Sequence, residues 1–272
     1  MERLPDWVPE GADLTRASAA RMYDYYLGGA HNFAVDRELA SQALAAYPNG
    51  RLIAQANRAF LHRAVRHLLS RGIRQFIDIG SGIPTVENVH ETAQKQAPDA
   101  RVLYVDHDPV AVAHSELILQ DNPNTRVLRA DLRRPKEILN APELLNLLDL
   151  SQPIGILMVA VLHFVSEDDH PEAAIGLLRD AVAPGSGLVI SQGTGEGRQA
   201  EAKKVAELYR NTTNPVTYRS RDRIRELFDG WQLEEPGVVW VSEWRPDWTD
   251  IVDPTPELSG LAAGIGLKEG PA

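Results

Sequence analysis

The chain has 272 residues, 43% of them hydrophobic and 24% charged, with 28 Lys and Arg against 38 Asp and Glu. This is the composition of an ordered globular chain long enough for a sizeable core, and a net charge of −10 argues against a general electrostatic binder of nucleic acid. The absence of cysteine excludes disulfides, thiolate metal sites, iron–sulfur clusters and a cysteine nucleophile.

In chain order, Met1 to Ala20 carries no apolar segment behind a basic start, so no signal peptide is read and a cytoplasmic location is expected. Residues 1–17 read as an arm without periodicity. Ala19, Met22, Tyr23, Tyr26 and Leu27 then fall at helical spacing, and Gly28-Gly29 stops that helix. A second helix is predicted from Asp36 to about Ala46, ending at Tyr47-Pro48-Asn49-Gly50. A third runs from Leu52 to Ser70, with Ile53, Ala56, Phe60, Ala64, Val65 and Leu68 on one face.

From residue 73 the period changes. Strands are predicted at 75–79, 101–106, 125–130, 153–161 and 187–192, with helices to about Gln96, at 109–120 and at 173–182. The longest apolar run, Ile154 to Leu162, is far short of the about 20 residues a membrane helix needs, and it reads as a strand buried on both faces. Strands alternating with helices imply right-handed βαβ crossovers and a mostly parallel sheet. Ser220 caps a helix through Leu227, closing strands follow at 231–233 and 238–243, and the tail after Pro246 reads as loop or a short docking helix. The fold class is therefore α/β and Rossmann-like. It divides into an N-terminal arm and helical cap (1–72), an α/β domain (73–245) and a C-terminal tail (246–272).

The chemistry concentrates where strands end. Phe76-Ile-Asp78-Ile-Gly80-Ser81-Gly82-Ile-Pro-Thr85 is a strand emptying into a glycine turn that opens a helix. Glycines allow a ligand to approach the backbone, and a helix N-terminus offers free N–H groups to an anion. A tight turn with no ligand is the competing reading. The second strand ends in Asp106, 24 residues after Gly82, where a ribose diol is held in nucleotide-type sites. The third ends in Ala130-Asp131-Leu132, whose carboxylate can accept from an adenine amino group. Either Asp alone could be a cap or a loop charge; the ordered triple at successive strand ends is much less easily a coincidence.

This order of D-I-G-S-G, an acid after the next strand and A-D after the third resembles class I S-adenosylmethionine-dependent methyltransferases over residues 73–245. Ala20-Arg-Met-Tyr-Asp-Tyr-Tyr-Leu-Gly-Gly-Ala-His-Asn-Phe33-Ala-Val-Asp-Arg37 is similar to the signature of a mainly actinobacterial methyltransferase family long catalogued as a domain of unknown function. The resemblance implies a seven-stranded sheet and S-adenosyl-L-methionine as cofactor. Asp78, Gly80, Ser81 and Gly82 would surround the methionine moiety, with Thr85 assisting at its carboxylate; many class I enzymes have glycine where Thr85 stands. Asp106 would bind the ribose diol, His107 would flank the adenine, and Asp131 with Leu132 would read its edge. Ala160, Val161 and His163 would floor the pocket beside the reactive methyl. The acceptor is expected to be a small molecule, with no nucleic-acid or membrane partner.

Tyr23, Tyr25 and Tyr26 crowd one helix ahead of the Gly28-Gly29 bend, with His31 and Asn32 on the following loop. A tyrosine stripe is more often core packing than a binding wall. Here Tyr23, Gly28, Gly29 and Asn32 are nevertheless expected to belong to a lid over the cofactor. His163 leaves a buried strand at its carboxyl end and is a candidate base, against the commoner role of a hydrogen-bonded loop histidine. Between Glu38 and Asp78 lie six Arg and no acid. Such a run is usually a solvated helix face and less often a docking patch for an acidic partner. Gly193 to Gly197 reads as a mobile loop, and no metal site is read from the histidine spacings. The rival functions are a non-catalytic S-adenosylmethionine sensor and an NAD(P)-dependent oxidoreductase.

Overall fold

The computed structural model describes residues 9, 12–84, 88–210, 212–247 and 255–270. Three N-terminal helices, α1 (Ala19–Tyr26), α2 (Ala34–Ala46) and α3 (Gly50–Ser70), precede the sheet. The β-branched and aromatic runs flanked by turn residues become β1 (Gln75–Ile79), β2 (Arg101–Asp106), β3 (Thr125–Arg129), β4 (Ile154–Val159) and β5 (Gly187–Gly193). Between them stand α4 (Val89–Gln94), α5 (Pro109–Leu119), α6 (Pro135–Leu139), α7 (Pro142–Leu147) and α8 (Pro171–Ala181). Proline opens α5, α6, α7 and α8, at the helical position where its missing N–H leaves nothing unsatisfied.

The five strands pair in parallel in the order β3-β2-β1-β4-β5. Because β1 leaves β2 on one side and β4 on the other, the strand order reverses at β1. A crevice forms there, outside the carboxyl ends. Alternate residues feed two cores. Ile77, Leu103, Ile156 and Leu188 face one, while Phe76, Val102, Leu157 and Val189 face the other, under Phe60, Val65 and Leu68 of α3. A third cluster joins Met22 of α1 to Ala40 and Ala43 of α2 and to Tyr209.

The C-terminal part departs from expectation. α9 (Gln199–Tyr209) and α10 (Arg221–Glu226) are followed by β6 (Gln232–Leu233), β7 (Val239–Trp240) and β8 (Leu261–Leu267). The tail read as loop or docking helix supplies β8, which runs antiparallel to β5 over seven residue pairs. β6 and β7 pair with the far side of β8, so among the described residues the sheet has eight strands in seven positions, its last position being split. Leu261-Ala-Ala-Gly-Ile-Gly-Leu267 has little β-propensity, but its small residues are required. A Cβ on Gly264 would sit 3.2 Å from the Phe228 ring, and one on Gly266 would sit 2.8 Å from Trp231 Cβ. The loop after β5 is also tied: Thr194 N donates to Gly260 O (2.8 Å), and Arg221 pairs with Glu196 at 2.8 Å. Among the described residues no helix is long and apolar enough to cross a membrane.

Much of the arginine run is engaged within the fold. Arg63 is buried and donates to the carbonyls of Trp244 (3.0 Å) and Val241 (2.8 Å). Arg71 holds Glu234 at 2.6 Å, Arg66 pairs with Asp247, and Arg74 donates to Leu69 O at 2.8 Å. Arg51, Arg71 and Arg74 remain exposed, so the run is in part the solvated face its spacing suggested, with Arg63 drawn into the core.

Candidate functional site

A cavity of about 220 Å³ lies at the carboxyl end of β1, β2 and β4, beneath α1 and beside α3. That is many times the roughly 10–15 Å³ that one water needs, so the space suits a ligand. Tyr23, Asp78, Gly80, Ser81, Gly82, Asp106, His107, Ala160, Val161 and His163 all line it, as expected from sequence. Thr85 lies outside the described residues.

The glycine turn is held by its neighbours. Gly80 N (2.8 Å) and Ser81 N (3.2 Å) donate to Val105 O, and Gly82 N donates to Asp106 Oδ2 at 2.7 Å. These three N–H groups are therefore engaged within the protein. Gly80 has φ +73, and a Cβ there would meet Val161 Cγ2 at 2.2 Å, so glycine is required by the close approach of the β4 loop. That loop is pinned in turn. Ala160, at φ +58, donates its N–H to Ser191 O (3.0 Å) and Ser191 Oγ (2.9 Å). Ser191 Oγ donates to Asn57 Oδ1 at 2.6 Å, Asn57 Nδ2 donates to Tyr23 OH at 3.0 Å, and Tyr23 OH donates to Ala54 O at 3.1 Å. One chain of hydrogen bonds thus links the roof helix, α3, β5 and the strained Ala160.

Two carboxylates carry the electrostatics. Burial pushes Asp78 up to about 7, with Arg58 opposing and Asp106 adding to the shift. Asp106 is also raised by burial, against the amides of Asp108 and Gly82 that its oxygens accept. Arg58 lines the same wall as Asp78. In the sequence Arg58 is indistinguishable from the other arginines of the run. Its signal was the stripe Ala54, Asn57, Arg58 and Leu61 at i, i+3, i+4 and i+7, which all line the cavity and break an otherwise apolar pattern with two polar groups. Asn214 was also missed. It meets His107 Nε2 at 3.2 Å on the β2 side of the cavity.

The remaining expected residues lie elsewhere. Asp131 is outside the lining and grips Arg133 through both oxygens; although burial works the other way, that guanidinium holds its carboxyl below the usual range. Leu132 is buried in the core. Gly28, at φ +83, supplies the left-handed turn that ends α1. Gly29 packs on the buried Asp24 carboxylate, and Asn32 Nδ2 donates to Asp24 Oδ2 (2.8 Å) and Gly29 O (2.9 Å). These three build a cage around Asp24, not a cavity wall.

The roof is anchored. Ser18 Oγ donates to Asp108, Ser18 N to Asp36 Oδ1 (3.0 Å), and Arg21 Nε to Asp36 Oδ2 (2.8 Å), all buried. Asp108 also caps α5, accepting from Val110 N at 2.8 Å, so the roof is bolted to the helix that follows the Asp106 wall.

Residues 5–269 match the family model described as S-adenosyl methyltransferase. A crystal structure of a candidate methyltransferase from Thermobifida fusca YX is 42% identical, covers 98% of this chain and 100% of its own, and superposes with a TM-score of 0.91. A DUF574-family protein from Streptomyces avermitilis MA-4680 is 37% identical over 94% of this chain and 99% of its own, with a TM-score of 0.90. Magnesium protoporphyrin IX methyltransferase from Synechocystis PCC 6803, 14% identical and covering 91% and 93% of the two chains, shares the fold at a TM-score of 0.53. The chain matches no curated protein.

Proposed function

The chain belongs to the S-adenosyl methyltransferase family, and from that premise we propose that it catalyses methyl transfer from S-adenosyl-L-methionine to a small-molecule acceptor. The observation that carries the assignment of the site is a single wall presenting opposite charges, Asp78 and Arg58, next to a second buried carboxylate, Asp106. An α-amino acid end is a zwitterion, and this pair matches it: Asp78 takes the ammonium and Arg58 the carboxylate. Asp106 accepts from the ribose hydroxyls, and His107 flanks the base. When bound, the sulfonium supplies an electrophilic methyl group. The protein's part is to hold the acceptor in line with it and to exclude water, under the roof of Tyr23 and Tyr26.

Family membership supports S-adenosylmethionine over the nicotinamide cofactor of the oxidoreductase alternative. Calorimetry should show S-adenosylmethionine or S-adenosylhomocysteine binding at micromolar concentration and NAD(P) far more weakly. Tighter binding of a nicotinamide dinucleotide would overturn the assignment. Formation of S-adenosylhomocysteine and a methylated product by mass spectrometry then separates enzyme from sensor. A protein that binds the cofactor and transfers nothing to any acceptor is a sensor.

Asp78 gives a pH dependence with a definite sign. Its folded value of about 7 lies above the about 3.9 of an unfolded Asp, so between these values the unliganded folded state binds the extra proton. Unliganded stability should therefore fall as pH rises through that window, opposite to the usual carboxylate. A ligand ammonium favours the ionised form, so affinity should rise over the same range. S-adenosylhomocysteine should bind about tenfold more tightly at pH 8 than at pH 6, following the ionised fraction of a group with a pKa near 7. Asp78→Asn should bind it more weakly and with a flatter profile; an unchanged slope in that variant would remove Asp78 from the ammonium subsite.

A further inference from the structure

A second cavity, of about 150 Å³, adjoins the first and shares six lining residues with it: Tyr26, Gly50, His163, Phe164, Tyr209 and Leu261. Tyr47, Val216 and Tyr218 close its other sides. Its chemistry is unlike that of the charged wall. No carboxylate, Lys or Arg is among the described residues that line it. Charges stand behind the lining: Arg51 donates to Tyr26 O at 3.3 Å, Arg198 stacks its guanidinium 4.2 Å from the Tyr47 ring and pairs with Glu201, and Arg219, behind His163, is ion-paired with Glu167.

Among the described residues of this lining, no group is poised to take up a proton near neutral pH. Burial pushes Tyr26 up to about 12 and raises Tyr47, Tyr209 and Tyr218 as well, so all four phenols keep their protons. His163 Nδ1 accepts from Gly193 N at 3.4 Å. A neutral imidazole that accepts at Nδ1 carries its own proton on Nε2 and presents a donor there. Burial and the Arg219 guanidinium lower this ring to about 3, which keeps it neutral. His163 is thus held neutral with its proton on Nε2, which makes it a poor base in this position.

We propose that this second cavity is the acceptor site and that it takes an uncharged aromatic molecule whose nucleophile is the lone pair of a ring nitrogen. The inference rests on the methyltransferase reading above. It follows by elimination among acceptors. A phenol, alcohol or thiol must lose a proton, and no described residue of the lining is placed as a base. An aliphatic amine arrives as an ammonium without a lone pair, and no carboxylate waits to hold or deprotonate it. A carboxylate has its lone pair but finds no cation and would be desolvated unpaired. A pyridine-type nitrogen is neutral near pH 7 and needs no base. Its lone pair forms the new N–C bond as the S–C bond breaks, the S–C pair returns to sulfur, and no proton moves. The positive charge passes from sulfur to the ring nitrogen, among tyrosine and phenylalanine rings whose faces attract cations.

Four para-linked isosteres test this with the purified protein and S-adenosylmethionine: phenylpyridine, phenylphenol, phenylpiperidine and biphenylcarboxylate. We expect N-methylphenylpyridinium to form at least about tenfold faster than any product of the other three, about 1.4 kcal/mol of discrimination. Val216→Trp fills the second cavity alone, and it should abolish that product while S-adenosylhomocysteine affinity stays the same, which also reports a folded protein. Faster methylation of the phenol, the amine or the acid overturns the inference, as does methylation of none of them. Calorimetry with S-adenosylhomocysteine on the same preparation separates the two readings: without binding the methyltransferase reading itself fails, and with binding only the acceptor class does.

Discussion

Asp106→Ala is expected to weaken S-adenosylhomocysteine binding by about a hundredfold or more, measured by calorimetry. Two ribose hydroxyls donating to an ionised acceptor contribute about 1.5–3 kcal/mol each before water compensates, and a hundredfold loss corresponds to about 2.7 kcal/mol. The carboxylate also organises the site before any ligand arrives. Its two oxygens accept from Gly82 N (2.7 Å) and Asp108 N (2.9 Å), tying the glycine turn to the start of α5. Alanine removes both ties along with the ribose contacts. Asp106→Asn, which keeps one acceptor oxygen, should fall between alanine and wild type. Global stability should change less than affinity, because burying this carboxylate is itself costly, as its raised pKa indicates. Affinity preserved in the alanine variant would remove Asp106 from the ribose site.

The parts of the fold legible in the sequence are those in which local pattern and tertiary role agree. β1 and β2 were bounded to the residue, because Gln75-Phe-Ile-Asp-Ile79 and Arg101-Val-Leu-Tyr-Val-Asp106 are extended-favouring runs bounded by loop residues. α10 is legible from its cap, since Ser220 Oγ accepts from Arg223 N at 3.1 Å. β8 was illegible for the opposite reason. Its alanines and glycines are chosen by the rings of Phe228 and Trp231 that pack over them, a tertiary demand with no local signature. α9 escaped because its buried positions, Ala202 and Tyr209, are few and far apart.

The candidate site divides along the same line. Asp78, the glycine turn, Asp106 and the β4 loop were found because the topology of a parallel sheet places strand ends together. Arg58, Asn57 and Asn214 were not, since each reaches the cavity from a helix or loop remote in sequence. The signature segment after Ala20 misled in one respect. Tyr23 and Tyr26 do line the cavity, but the glycines and Asn32 behind them serve Asp24. Residues clustered in one sequence motif serve two tasks here, the cavity roof and the Asp24 cage.

That division sets the outcome expected for Gly29→Val. A Cβ at residue 29 would stand 1.9 Å from Asp24 Oδ1, and the Asp24 side chain is fully buried, so it cannot swing into solvent. Its Oδ2 accepts from His31 N (2.9 Å) and Asn32 Nδ2 (2.8 Å), while Gly29 N donates to Asp24 O at 2.8 Å. Moving the carboxylate far enough to admit valine breaks this set. Overpacking costs about 1–3 kcal/mol and an unsatisfied buried acceptor costs about the same again, so about 3–5 kcal/mol of stability should be lost. Gly28→Ala is the control. A Cβ there meets nothing within 4 Å, and the cost is only that of φ +83 for an L residue, about 1–2 kcal/mol. Denaturant unfolding of the two variants should therefore rank position 29 well above position 28. In the fraction that remains folded, S-adenosylhomocysteine affinity should stay within about threefold of wild type, since neither glycine lines the cavity. Normal stability with affinity reduced tenfold or more would instead place the Gly28-Gly29 bend against the cofactor, and the Asp24 cage would then have no structural weight.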